Sequence, residues 1–552
     1  MQIVNSNLID PNTPFKQLLF GIALLLCAVK IIYPVSDWKD ILPNDESEYL
    51  RQGVMLEPLG IPSPQYAPLY SLLYYCFSRF TDSAVFLYDL HSGLFILILP
   101  LLLYGLLVRY RVNNMIAFLV AFFYLINHSS LLLTPTPSHF AAVLILGFAL
   151  LASFVRSAVT YLLIVACAAL LAAYSRPEFF LSFLLLLAAG GGVVIWQRKG
   201  NPGNGIAFVI LACISAFLFY RIGLPFSGPR SWVAFSQHFT LNYADWKNIT
   251  LTPWVETQEI ITRQFGAADS FTEALFANPL MVLLHILYNL LMFPLKLAKA
   301  LLYHVSLLFP DNSFFTLLEA IAAGLAGLSL LLIKKSRLKS AVREMPYFNR
   351  EAFAFLAILF PPLVSTIIIY PREHYLFFIS LGIYLLFART VSHLYPMRHS
   401  LKCAAAVGLA VWAMTPGTTL ATTFPKVHNP LLNRYAIAVV NQHLEPGKQN
   451  HVLDGVGLGI YFEGQKTIRY AVEKNEPFAD FIKNHSFDVI FLAEYTDEFS
   501  MYRADASYQD FMVDSQRFGY ETVRISGTEY TVYLRNKNLT DMVHKESLPQ
   551  VQ

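Results

Sequence analysis

Apolar blocks of about 20 residues recur along most of this chain, and that feature leaves few folds open. Hydrocarbon cannot hydrogen-bond a backbone, so a crossing segment is either a helix or a strand of a closed barrel. These blocks are continuous rather than alternating, which selects helices. About eleven spans are expected, at 15–34, 84–108, 114–133, 138–155, 157–174, 178–196, 206–222, 313–333, 351–369, 374–392 and 402–421. Composition agrees: 55% of the 552 residues are hydrophobic and only 14% are charged, against about a quarter charged in soluble domains. The first block has no small-residue cleavage pattern after it and reads as a retained helix. The five cysteines lie singly in apolar stretches, as buried small hydrophobes do.

Charge then orients the spans. Alternate short loops carry Arg109 and Arg111, then Arg156, then Arg198 and Lys199, then the run from Lys334 to Arg350, then Arg398 and Lys402. The opposite short loops hold only Arg176 and Arg372. The positive-inside rule puts the N-terminus in the cytoplasm and the C-terminal tail outside. Counting 279–303 as a span would invert the Lys334–Arg350 run. It carries His285, Asn289, Lys296, Lys299 and Pro294 and reads as an amphipathic surface helix, as does 66–80. The domains expected are a transmembrane domain, 1–422, roofed by outer loops 35–83 and 223–312, and an extracytoplasmic domain, 423–552. The latter reads as small α/β, with strands at 451–454 and 488–493, helices near 477–484 and 506–518, and a final hairpin. Its Gly455-Val-Gly457-Leu-Gly459 lacks the spacing of a nucleotide-binding loop.

Four outer features carry polar chemistry. In Asn44-Asp45-Glu46-Ser47-Glu48-Tyr49, Asp45 opens a helix, and with Glu48 it has the form of a capping box. A capping aspartate can still turn a carboxylate oxygen to a cavity. Tyr370-Pro371-Arg372-Glu373-His374-Tyr375 and Ser175-Arg176-Pro177-Glu178 are tight turns with an arginine beside proline and acid. These arginines either snorkel and pair locally or bind an anion, since a guanidinium's planar fork suits phosphate. Thr134-Pro135-Thr136-Pro137-Ser138-His139 is uncharged, and His139 is either a ligand and proton carrier or a satisfied neighbour of polar groups.

The order of these features resembles the GT-C glycosyltransferases that use polyprenyl-phosphate sugars. The residues carrying the likeness are Asp45-Glu46 and Tyr49 after the first span, Pro64-Gln65-Tyr66-Ala67-Pro68-Leu69-Tyr70, Asn289-Leu290-Leu291, and Pro371-Arg372-Glu373-His374-Tyr375. The likeness runs from residue 10 to about 420, and the lipid A aminoarabinose transferases and protein O-mannosyltransferases are the branches it looks most like. It implies a mainly α polytopic membrane protein of GT-C type with outer surface helices, in a bacterial cytoplasmic membrane and facing the periplasm. It also implies a polyprenyl-phosphate-linked sugar donor and an extracytoplasmic glycan, lipid or protein acceptor, with no nucleic acid. By the family's mechanism Asp45 takes the acceptor's proton as general base, with inversion, and Glu46 orients the acceptor or joins a divalent cation. Arg372, with His374, Tyr375 and Arg176, holds the departing lipid phosphate. Tyr49, Tyr66, His139 and Glu178 are the acceptor or cleft residues.

The chain departs from the family in lacking an acid in the second outer loop and in having Glu373-His374 between Arg372 and Tyr375. A divalent metal (Mg, Mn, Ca or Zn) at Asp45, Glu46 and His139 is therefore left open. The residues also admit two rival readings. A polymerase or ligase taking a glycan from a diphosphate-linked lipid would use Arg230 and Arg263 of the long outer loop. A transporter would need ionisable residues within spans, and the expected spans are nearly free of acids, with Asp89 and Glu319 as exceptions near span ends.

Overall fold

The computed structural model describes residues 13–33, 35–43, 45–127, 137–197, 202–249, 253–302, 350–394, 431–444, 450–462, 465–469, 476–493, 502, 504–525, 528 and 530–535. Two compact units emerge. One comprises 1–39, 55–76 and 89–428; the other comprises 40–54, 77–88 and 429–552.

The first unit is helical, and its helices coincide with the expected spans. They are Thr13–Ile32, Ala84–Arg109 (shared with the second unit at its start), Asn114–Leu125, Pro137–Ala152, Ala158–Ala173, Phe179–Gln197, Pro202–Arg221, Arg350–Ile368 and Glu373–Leu394. The spans expected at 313–333 and 402–421 lie outside the described residues. Seven described helices are long and apolar enough to cross a membrane, and 114–125, 137–152 and 158–173 are shorter apolar helices. The chain is a mainly helical, polytopic membrane protein with a small C-terminal sheet. Helix Pro202–Arg221 exposes Ile206, Val209, Ile210 and Phe217, a surface that suits lipid rather than water. Where helices meet, side chains are small. Ala166, Ala168, Ala169, Ala172 and Ala173 are fully buried where Ala158–Ala173 packs on both neighbours, as helix pairs in lipid require.

At both ends of the helices, polar contacts join neighbouring turns. At one end Arg350 donates to the Arg156 carbonyl at 2.7 Å, Arg109 donates to the Ser153 carbonyl at 2.9 Å, and the Asn113 amide donates to Ser392 Oγ at 2.8 Å. The turns at 174–178, 223 and 368–375 occupy the other end, where the Tyr174 hydroxyl donates to the Gly223 carbonyl at 2.7 Å.

Helix Pro279–Leu302 continues through Pro294. Val282, His285, Asn289 and Ala300 give it one buried stripe, which packs on helices 350–368 and 373–394. By length and composition it too is able to cross a membrane. The opposite stripe, Leu283, Leu287, Leu291 and Leu295, is exposed.

The second unit holds a five-stranded sheet of order β2-β1-β3-β5-β4, with β1 Asn450–Asp454, β2 Gln465–Arg469, β3 Val489–Ala493, β4 Tyr520–Arg524 and β5 Tyr530–Arg535. β1 pairs in parallel with β2 and β3, and β5 pairs antiparallel with β3 and β4. β2 and the helix Leu432–His443 are additions to the elements expected from sequence; the others fall where expected. Helices Phe478–His485 and Ala506–Val513 cover the sheet through Phe478, Phe481, Ile482 and Phe511, which meet Leu453, Ile490, Tyr520 and Tyr533. Asp505 caps the second helix by accepting the Ser507 amide at 2.9 Å. That engagement, with the Ser507 hydroxyl bond foremost, holds its carboxyl below the usual range.

The glycine run follows β1 and wraps its own aspartate. Asp454 is fully buried and accepts the amides of Val456 at 2.9 Å, Gly457 at 2.8 Å and Gly459. A Cβ on Gly459 would sit 2.8 Å from the Asp454 carboxylate, so only glycine fits. The amides that would cradle a phosphate are already occupied by a side chain, which is why the spacing differs from a nucleotide loop.

Candidate functional site: an arginine cluster and an acidic helix

The first unit's site is built around the turn 369–375, which joins two spans. A helix end leaves carbonyls without partners, and here two buried side chains, held by a third, meet them. Asn289 Nδ2 donates to the Ile367 carbonyl at 2.9 Å, and His285 Nε2–H donates to the Ile368 and Ile369 carbonyls, both at 3.0 Å. Asn242 Nδ2 in turn donates to His285 Nδ1 and Asn289 Oδ1, both at 2.9 Å. All three side chains are fully buried. The turn then closes on itself, with the Arg372 amide donating to the Tyr370 carbonyl at 2.9 Å and the Tyr375 amide to the Arg372 carbonyl at 3.0 Å. Asn289, which contributes to the family likeness, thus acts on the backbone that carries Arg372.

Around Tyr375 the positive charges converge. The Arg176 guanidinium lies over its ring, 4.7 Å from the centroid. Arg176, Glu178, Arg230 and Arg372 all act electrostatically on its hydroxyl. Arg176 also pairs with Glu178 at 2.7 Å, so the local ion pair and the approach to the cluster coexist. The Arg372 side chain is exposed. The side chain of His374 lies outside the described residues. Arg263 pairs instead with Glu259, both exposed, along its own helix.

Sequence reading missed His238, Tyr370 and Asp245, and named Arg230 only for the rival reading. His238 is buried, stacked on Tyr370 with centroids 5.2 Å apart and edge-on to Tyr375 at 6.0 Å. Its Nδ1–H donates to the Ala234 carbonyl at 2.6 Å, which fixes Nε2 as the basic nitrogen. Burial, with the nearby Arg372 charge and against the Ala234 hydrogen bond, pushes its pKa down to about 4. Tyr370 is pushed up by burial and by Asp245, with Arg372 opposing. The signal was available, because Arg230, His238, Asn242 and Asp245 share one side of helix Arg230–Lys247 at helical spacing.

His139 is buried in helix Pro137–Ala152, with its ring 4.6 Å from Phe377 and 6.1 Å from Phe95. Thr134, Pro135 and Thr136 lie outside the described residues. Tyr66 is exposed at the end of the 3-10 turn Pro64–Tyr66, and Ala67, at φ 49°, turns the chain into helix Pro68–Ser78.

Asp45, Glu46 and Tyr49 belong to the second unit, on helix Asp45–Val54. Asp45 is exposed, whereas Glu46 and Tyr49 are buried at 4% and 3%. Glu46 lies close enough to Tyr88 to act on it, as do Tyr461 and Arg434. The capping box does not form. Asp45 is the first helical residue, and Glu48 reaches forward to Arg51 at 2.7 and 2.8 Å and to Gln52 at 2.6 Å. Among the described residues no group of three His, Cys, Asp or Glu side chains is placed to hold a metal.

No family model matches the chain, and no curated protein matches its sequence. Among solved structures, the chain is similar to the oligosaccharyltransferase of Archaeoglobus fulgidus, solved with zinc and sulfate. That structure is similar over 94% of this chain and 73% of its own, at 15% identity and a TM-score of 0.39.

Proposed function

We propose that the chain is a membrane glycosyltransferase that moves a sugar from a polyprenyl-phosphate donor to an extracytoplasmic acceptor, with inversion. The observation that carries this reading is the gathering of Arg176, Arg230 and Arg372 around Tyr375, beside a buried neutral histidine. Such a cluster suits a lipid-linked phosphate, because guanidinium groups stay charged and donate in pairs. In the reaction the acceptor oxygen bonds to the anomeric carbon as the bond from that carbon to the phosphate oxygen breaks. Asp45 takes the acceptor hydroxyl's proton. The arginines and the Tyr375 hydroxyl stabilise the charge that grows on the departing lipid phosphate. Glu46, being buried, holds the helix that bears Asp45 rather than touching substrate. The membrane in question is a bacterial cytoplasmic membrane, with the site on its outer face.

Arg230 favours a second reading, in which a diphosphate-linked glycan is the donor and the extra charge meets the second phosphate. One assay separates the two. Purified protein in nanodiscs is given radiolabelled polyprenyl-phosphate sugars or diphosphate-linked oligosaccharides, with membrane extract as acceptor. Transfer from the monophosphate donors, lost about 100-fold or more in Asp45→Asn and in Arg372→Ala, is the expected result. Consumption of diphosphate donors alone would give the second reading the lead, and transfer retained by Asp45→Asn would remove the base assignment.

A further inference from the structure

The first outer loop is not folded by itself: 40–54 and 77–88 share a compact unit with 429–552. The join is polar and specific. Helix Leu432–His443 begins at Leu431, which offers no side-chain cap. The missing acceptor comes from far away in sequence. Asp40 Oδ2 accepts the Asn433 amide and Oδ1 accepts the Arg434 amide, both at 3.0 Å. Asp40 Oδ1 also accepts the amide of Ile41 at 2.8 Å, which fixes its own backbone. Asn433 returns the contact, with Nδ2 donating to the Ile41 carbonyl at 2.6 Å. The Tyr530 hydroxyl on β5 donates to Asn433 Oδ1 at 2.7 Å, and the Tyr88 hydroxyl donates to the Asp40 carbonyl at 3.2 Å.

Asp40 is 8% exposed and Asn433 also 8%. A carboxylate at a helix N-terminus is stabilised by the free amides and the helix dipole, and burial raises the cost of removing it. Five residues after Asp40 stands Asp45. Its helix packs against the 3-10 turn Gly459–Tyr461, and Tyr461 meets Tyr88 edge to face at 6.1 Å. That turn starts at Gly459, whose amide is held by Asp454 at the end of β1. The segment that leads into the helix bearing Asp45 is therefore held by Asn433, and the helix itself packs on the turn that follows β1.

We infer that the C-terminal domain is a positioning element of the transfer site, with Asp40, Asn433 and Tyr530 setting the orientation of helix Asp45–Val54. This rests on the assignment of Asp45 as the base. It gives the domain a role in turnover rather than in donor capture, because the residues that meet the lipid phosphate belong to the other unit.

The test uses the full chain in nanodiscs with Asp40→Asn and Tyr530→Phe. The phenylalanine keeps the ring contact with Phe491, 5.3 Å away, and removes only the hydroxyl, so the sheet stays folded. Hydrogen exchange is read on peptides from 45–54, 432–443 and 230–247. The expected result is exchange about fivefold faster in both 45–54 and 432–443, with 230–247 unchanged. In the transfer assay the same variants should lower kcat and leave KM for the lipid-linked donor unchanged. Unchanged exchange in 45–54 for both variants overturns the inference, as does a rise in donor KM with kcat intact. Should the wild type transfer no sugar, the glycosyltransferase reading fails by itself, and the exchange of 45–54 still decides whether the domain holds that helix.

Discussion

His238 shows how a single side chain's chemistry is set by its surroundings. The Ala234 carbonyl fixes its tautomer, while burial and Arg372 keep the ring uncharged, with its pKa pushed down to about 4. A protonated ring would place a further positive charge beside the arginines that gather at Tyr375. A histidine held neutral in the fold contributes stability that is complete above its ordinary value of 6.5. That stability is lost as pH falls from there towards about 4, because the unfolded chain takes up a proton that the folded chain refuses. Thermal unfolding between pH 7.5 and pH 4.5 should show this loss, and His238→Gln should flatten that part of the profile. A variant as acid-sensitive as the wild type would place the effect elsewhere. At the same scale, Asp45 and Glu46 are adjacent yet differ in kind. Successive helical residues point about 100° apart, so one faces solvent and the other the core.

At the scale of elements, the turn at 369–372 depends on helices far from it in sequence. Asn289 donates to the carbonyl of Ile367 and shares that of Ile369 with His285. Asn289→Ala should therefore leave a buried acceptor unmet and cost about 1–3 kcal/mol. The measurement is a lowered unfolding temperature, together with weakened binding of polyprenyl phosphate to the purified protein. Loss of stability with binding intact would mean that the turn does not shape the arginine cluster. Apolar periodicity located the helices themselves. It does not locate Arg230, His238 and Asp245 in space, because their helix, Arg230–Lys247, belongs to a long outer loop whose partners were unknown. β2 escaped notice for a different reason, since Gln465–Arg469 has only one strongly apolar residue, Ile468.

For the whole molecule, the positive-inside rule gives the expectation that the C-terminal domain lies outside the cytoplasm. Arg517 is well exposed on that domain, and Cys76 is the exposed cysteine of the outer loop. In a Cys76→Ser background, Arg517→Cys should react with a membrane-impermeant maleimide on intact cells at the rate seen in lysed ones. Labelling only after lysis would invert the topology. The resemblance to GT-C enzymes rests on the order of short motifs along the chain. What the motifs left open was which of their residues meet.

The sequence by itself determined that the chain is helical and membrane-spanning, and where its C-terminal α/β domain lies, because these follow from local periodicity and the insolubility of open backbone in lipid. Only the tertiary structure decided that Arg176, Arg230 and Arg372 converge on Tyr375, that the glycine loop is filled by its own Asp454, and that Asp40 caps a helix nearly four hundred residues away. The physical reason is the same in each case. Buried hydrogen-bonding groups and charges must find partners, and which partner is within reach depends on long-range packing that no local window of sequence contains.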